Sequence, residues 1–334
     1  MFQTSVTPQW LASSWHGKPY YSLDAYCKNT FQHKCYKIAL NTHMSCPNRD
    51  GTLGTRGCIF CSAGGSGDFA VSTKGKSIQE QLEEGISLFH DKKVGQHFIA
   101  YFQAYTNTYA PISYLEQVYR EALSCSQVCG ISIATRPDCL PDEVLTLLAD
   151  LKKSYPDKFI WIELGLQTIH EQTAVFIRRG YELPCFEEAF DKLSAIDIPV
   201  IVHVILGLPH ETRDMILQTI GYLNHLKPFG IKLQLLHILE DTDLADYYRE
   251  GNFEALFKDE YLDLVIDCLE QLSPDIVIHR VTGDGSKDLL IAPKWSLNKR
   301  DVLNSLHKRM KARNAIQGSA LTATAPLMPN ASLQ

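Results

Sequence analysis

Residues 46–61 read CPNRDGTLGTRGCIFC, and they follow closely on residues 35–44, CYKIALNTHM. Cys46, Cys58 and Cys61 form a C-x11-C-x2-C pattern in a loop after the first strand-length apolar run. Gly51, Gly54 and Gly57 lie inside the loop, and Gly64, Gly65 and Gly67 follow it. Glycine lets a chain wrap tightly, so that backbone N–H groups can approach sulfur. Three thiolates can hold three irons of a [4Fe–4S] cube and leave the fourth iron open to a chelating ligand. The same CxxC pair could instead anchor a structural zinc, with His43 or Cys35 as a further ligand. No second knuckle follows at a distance, and a loop after the first strand of a βα fold favours catalysis.

Outward from this loop, six more apolar runs recur: 97–104, 130–135, 159–165, 199–206, 230–236 and 275–280. They are strand-length and rich in β-branched and aromatic residues, as strands buried on both faces are. Between them lie amphipathic stretches at 77–92, 111–124, 141–153, 184–196, 211–226, 241–249 and 260–272. Repeated βα alternation implies a parallel sheet with right-handed crossovers, with ligands at the C-terminal ends of its strands. Such a sheet can close as a full or partial barrel or lie open.

The chain has 334 residues, 45% of them hydrophobic, and a formal charge of −6. That suffices for a large core and excludes global disorder. Bulk positive charge for nucleic acid is lacking, though a local basic patch is not excluded. No run of about 18 apolar residues exists, so no membrane span is expected. No secretory signal is legible, so the ten cysteines read as reduced thiols and the protein as cytoplasmic.

The cysteine loop, with Phe60 before its last cysteine, resembles that of the radical S-adenosylmethionine (SAM) superfamily. The wide first gap is similar to that of the subgroup around the Elongator catalytic subunit, and most of all to the bacterial YhcC/YtqA-type proteins. YFQAYTNTY, SIATRPDCL, ELGLQT, FIRRGY, HVILGLPHET and IHRVTGDG agree with it. The resemblance spans about residues 15–310. It implies an α/β fold with a partial (βα)6-type barrel at 35–280 after an N-terminal extension at 1–34; by composition, 281–316 reads as a C-terminal basic helical segment and the small, polar, proline-containing 317–334 as a disordered tail. The resemblance implies that SAM chelates the open iron through its amine and carboxylate. One electron, from a donor such as flavodoxin or ferredoxin, then cleaves the S–C5′ bond, and the 5′-deoxyadenosyl radical takes a hydrogen atom from substrate.

The resemblance also distributes roles. Cys46, Cys58 and Cys61 hold the cluster, with Phe60 beside it. Gln167 meets the SAM ribose and Arg179, twelve residues on, the carboxylate; Arg178 is the alternative. His203 faces the cofactor and Gly207 lets the backbone approach adenine. Gln103, Thr106 and Asn107 stand where many members carry a Gly-Gly-Glu motif for the amine. Arg136 and Glu163 are catalytic candidates that could instead pair with each other.

Cys125, Cys129 and Cys139 could form a second cluster, while Cys27 and Cys35 read as packing residues. Residues 287–313 hold eight Lys/Arg and two Asp/Glu. Lys294, Arg300, Lys308, Arg309 and Lys311 could therefore bind an RNA backbone, or simply solvate a helix. Trp10, Trp15, Tyr20, Tyr21 and Tyr26 could stack bases or pack beneath the barrel. The substrate implied is tRNA, at a wobble uridine. A small metabolite, or a zinc-stabilised RNA-binding module without redox chemistry, are the alternatives.

Overall fold

The computed structural model describes residues 14–65, 75–90, 95–283 and 285–321. Seven parallel strands form one curled sheet: β1 (Tyr36–Leu40), β2 (Phe98–Phe102), β3 (Val128–Thr135), β4 (Phe159–Gln167), β5 (Val200–Leu206), β6 (Gly230–Leu235) and β8 (Val277–Arg280). The partial barrel is therefore present, and β8 extends its six-strand arc by one. All seven apolar runs of the sequence become its strands.

Crossover helices cover the outer face: α2 (Ile78–His90), α3 (Ile112–Ser124), α4 (Asp142–Ser154), α6 (Leu183–Ala195), α7 (Arg213–Leu226) and α9 (Lys258–Gln271). Alternate strand residues, among them Ile38, Phe98, Ile131, Ile162, Val202 and Leu233, pack there in the main core. Their neighbours point into the arc and form layers, as barrel interiors do. Ile99, Trp161 and Ile201 make the lowest layer, nearest the strand starts. Above them come Lys37, Tyr101, Ser132, Glu163, His203 and Lys232, and above those the cavity mouth.

Smaller elements complete the chain. Helix α1 (Leu23–Phe31) precedes β1 and is capped by Ser22, whose hydroxyl accepts from Ala25 N–H at 3.2 Å. Short α5 (Glu171–Phe176) and α8 (Asp243–Arg249) follow β4 and β6. A two-strand ribbon joins β7 (Ile238–Leu239) to β9 (Leu290–Ala292), and α10 (Lys299–Arg313) lies along α9. The N-terminal aromatics are packing residues: Trp15 and Tyr20 are buried, and Tyr26 meets Trp161 and Phe229 under the sheet. Trp10 lies outside the described residues, as does Gly67. No helix among the described residues is long and apolar enough to cross a membrane.

The expected tail boundary at 317 is corrected, because residues 317–321 fold back on the domain. Gln317 is buried. Its amide donates to the carbonyls of Ser273 (2.6 Å) and Ile276 (2.9 Å) and accepts from Tyr21 N–H (2.9 Å). Gly318 N–H and Ala320 N–H donate to the carbonyls of Leu269 and Glu270 on α9. Residues 322–334 lie outside the described residues. Leaving buried backbone groups unpaired costs about 1–3 kcal/mol. Gln317→Ala should therefore lower unfolding stability by that amount in urea titrations, with the m-value unchanged.

Candidate active site

The seven strand ends open on one cavity of about 540 Å³, within the size range of small-molecule sites. Cys46, Cys58 and Cys61 line it together with Phe60, Gln103, Thr106, Arg136, Glu163, Gln167, Arg179 and His203. The three cysteines are in no disulfide and are half-buried.

Local chemistry shapes their loop. Cys46 accepts backbone bonds from Arg49 N–H (2.8 Å) and Asp50 N–H (3.1 Å), and Cys61 N–H returns to Cys58 at 3.0 Å. The Arg49 guanidinium donates to the carbonyls of Cys61 (2.6 Å) and Ser62 (2.7 Å). Gly57, at φ +74°, leaves room for it: a Cβ there would sit 2.8 Å from Arg49 Nε. Asn48 pins the loop to the turn beyond β4. Its amide donates to the Arg178 carbonyl at 2.8 Å and to Cys58 Sγ at 3.5 Å. Burial, and then the neighbouring Cys61 thiol, push the Cys58 thiol up to about 11; a coordinated cation reverses such a shift outright.

The loop suits a cluster better than a mononuclear zinc. A tetrahedral zinc with 2.3 Å bonds needs sulfurs only about 3.8 Å apart. Among the described residues, the metal-ligating trio that converges within 4.8 Å is a different one, not these three cysteines. Cys35 cannot join them, since it precedes β1 whereas Cys46 follows it. His43 sits on an exposed turn at φ +55°.

Gln167 ends β4 in the left-handed region, at φ +66°. That conformation costs a non-glycine residue about 1–2 kcal/mol. Its Oε1 is buried without a partner. An orphaned acceptor on a strained strand end is a ligand contact in waiting, and it fits the hydroxyl donors of a ribose.

Several assignments are corrected. Arg179 is 1% exposed. Its guanidinium donates to the carbonyls of Thr168 (2.7 Å), Tyr181 (2.9 Å) and Leu166 (3.1 Å) and pairs with Glu171. It clamps the turn after β4 and spends its charge on Glu171 rather than on a bound ligand. Arg178 pairs with Asp243. Asn107 is fully buried; its side chain bonds Thr42 and the Ala134 carbonyl, so it has no amine to receive. Gly207 lies off the cavity wall, where a Cβ would strike Leu256 Cδ1 at 2.9 Å. Arg136 does not pair with Glu163: it grips Asp138 at 2.7 and 2.9 Å and donates to the Arg179 carbonyl at 2.9 Å.

Glu163 has other partners. Buried at the centre of the arc, it accepts from Lys37 (2.5 Å), Ser132 (2.6 Å), His203 (2.7 Å) and Lys232. Burial alone would raise its carboxyl; Lys232, Lys37 and His203 outweigh burial and hold it well below the ordinary range. Burial, then Lys232, lowers His203 to about 4. The neutral ring donates from Nε2 to Glu163, while Nδ1 accepts from Gln234 at 3.3 Å. Lys37, Tyr101, Lys232 and Gln234 were missed as site residues. The signal was a polar residue at inward spacing inside each apolar run.

The basic C-terminal patch is also corrected. Helix α10 runs alongside α9 in the same direction, with Lys258 bonding Asp301 near their starts and Arg313 meeting Asp267 and Glu270 near their ends. Arg309 is tied to Asp259 and Asp263. Lys308 and Lys311 are exposed but sit in the second half of α10, toward the α9 end far from the mouth, while Lys294 and Arg300 lie near its start. Cys125, Cys129 and Cys139 share no site: Cys129 begins β3 and Cys139 follows that strand's far end.

The neutral His203 gives the fold a pH signature. Unfolded, the ring titrates near its ordinary value of 6.5; folded, it does so near 4. The unfolded chain thus binds more protons between these values, so stability falls as pH drops from 6.5 to 4, by at most about 1.4 kcal/mol per pH unit. His203→Gln should flatten this slope in urea titrations across pH 4–7.

Family models match most of the chain. Residues 51–223 match the model described as the Radical SAM superfamily, and 228–312 that of the Radical_SAM C-terminal domain. "Uncharacterized protein YtqA" of Bacillus subtilis is 44% identical over 308 residues, 90% of this chain and 92% of that protein. "Protein YhcC" of Escherichia coli K12 is 34% identical over 288 residues, 86% and 91% of the two chains. Among solved structures, the archaeal Methanocaldococcus infernus Elp3 lacking its first 46 residues shares the fold. Its TM-score is 0.65 at 14% identity, over 85% of this chain and 64% of that one.

Proposed function

The chain belongs to the radical SAM superfamily, and on that premise we propose that it is an enzyme whose cluster sits on Cys46, Cys58 and Cys61 and whose substrate is a nucleotide of tRNA. Enzymes of this family use a [4Fe–4S] cluster and SAM. When bound, the reduced cluster supplies the electron that cleaves SAM to a carbon radical; here the electron would come from a flavodoxin or ferredoxin. The observation that carries the reading is the convergence on one cavity of three cysteine sulfurs outside any disulfide and the unpartnered Oε1 of Gln167. In this reading Gln167 orients the ribose, and Gln103 and Thr106 line the same wall toward the amine. Arg179 acts as a positioning residue that fixes the Gln167 turn. The buried Glu163–Lys232–His203 network gives the substrate a rigid polar floor.

tRNA is supported by the motif resemblance to the Elongator catalytic subunit. A half-exposed aromatic group above the strand ends adds to it. Phe176 packs against His210 (5.0 Å) and Tyr247 (5.2 Å), and Tyr247 stacks on Phe253 (5.9 Å). Rings at a mouth can hold an unstacked base. With Arg309 neutralised, phosphate contacts would rely on Lys294 and Arg300 near the start of α10.

Anaerobically reconstituted protein with SAM and dithionite should release 5′-deoxyadenosine. Cys58→Ala should lose cluster and product alike; product formation without the cluster would overturn the assignment. Gln167→Gly should fold as stably as the parent or better by about 1 kcal/mol, while its SAM affinity falls by about 1–3 kcal/mol. Equilibrium binding and urea unfolding separate the two effects. For the substrate, tRNA nucleosides from cells lacking the gene should miss one modified uridine by mass spectrometry. An unchanged nucleoside profile alongside intact 5′-deoxyadenosine release would point to a small metabolite.

A further inference from the structure

At the opposite end of the sheet, three strand starts bring metal-ligating side chains together. His33 and Cys35 precede β1, His97 precedes β2 and Cys129 begins β3. The ligand atoms of His33, His97 and Cys129 all lie within 4.8 Å of one another. The two imidazoles stack with centroids 3.4 Å apart and planes 11° off parallel. Cys35 Sγ lies 3.6 Å from His33 Nδ1. Two cysteines and two histidines from three strand starts thus occupy one half-buried patch.

We propose that His33, His97 and Cys129 bind one zinc ion, and that Cys35, whose Sγ lies 3.6 Å from His33 Nδ1, moves in as the fourth ligand to complete the tetrahedron. The spacing suits that ion. Zinc bonds of about 2.3 Å to sulfur and 2.05 Å to nitrogen at the tetrahedral angle put those two atoms about 3.6 Å apart, the separation of Cys35 Sγ from His33 Nδ1. Mixed imidazole and thiolate donors select zinc over hard cations, and four protein ligands leave no open position, the mark of a structural site. Cluster and zinc ligands lie at opposite ends of β1, about 16 Å apart at 3.3 Å per residue over five residues. The site would rivet α1 and the starts of β1, β2 and β3 together beneath the catalytic mouth.

Metal analysis of the full chain tests this. Protein purified anaerobically from cells grown with iron and zinc should carry about one zinc per chain besides its cluster iron. Cys129→Ala and His97→Gln should each cut zinc at least tenfold and leave iron unchanged, whereas Cys58→Ala should do the reverse. Should the variants fail to fold, cobalt added to the parent chain should give the intense visible bands of a tetrahedral site and a thiolate charge-transfer band. Three results would overturn the proposal: zinc that disappears with Cys58→Ala and not with Cys129→Ala, cobalt bound only in octahedral form, or a Cys35–Cys129 disulfide in the anaerobic protein.

Discussion

A carboxylate with no access to water governs the interior of this barrel. Glu163 is 1% exposed, and an isolated charge in such a place would be untenable. Its oxygens are satisfied from four other strands: Lys37 on β1, Ser132 on β3, His203 on β5 and Lys232 on β6, with Tyr101 of β2 holding Lys232 at 3.0 Å. Each partner must keep its register for the charge to remain compensated. Such networks are poor sources of net stability, yet removing one member is costly. The arrangement therefore fixes relative strand positions, and with them the strand ends that carry Gln103 and Gln167.

Above that floor, two loops are locked to each other. Asn48 bridges the cysteine loop to the turn after β4, and Arg179 holds that turn against Leu166, Thr168 and Tyr181. A guanidinium buried against three carbonyls makes a rigid hinge post. The thiols and Gln167 thus belong to one mechanical unit, as preorganised sites require.

The sequence made the strand and crossover-helix pattern legible because burial on both faces leaves long apolar runs, and period and length separate strand from helix there. The three thiols were legible because their spacing is confined to one loop. Arg179 was misread because no sequence pattern distinguishes a guanidinium that meets a ligand from one that meets backbone carbonyls twelve residues from Gln167. Asn107 was misread for the same reason: its partners Thr42 and Ala134 come from other strand ends. Lys37 and Lys232 hid inside apolar runs, where a single lysine looks like the snorkelling end of a strand residue. The basic look of residues 294–313 misled because its counter-charges, Asp259, Asp263, Asp267 and Glu270, sit on the preceding helix. The short β7–β9 ribbon has no periodicity long enough to read.

The sheet's last strand does not end in solvent. Ser22 bridges Ile278 of β8 in parallel, and Ile278 N–H donates to the Tyr21 carbonyl at 2.7 Å. The segment just before α1 is thus an edge partner of the last strand of the sheet, and Gln317 seals the junction. On the ribosome, where chains emerge N-terminus first at about 5–20 residues per second, residues 19–22 must wait for β8 before they find their place. Through most of synthesis the growing arc lacks its outer border. That border can form only when a late strand meets an early segment.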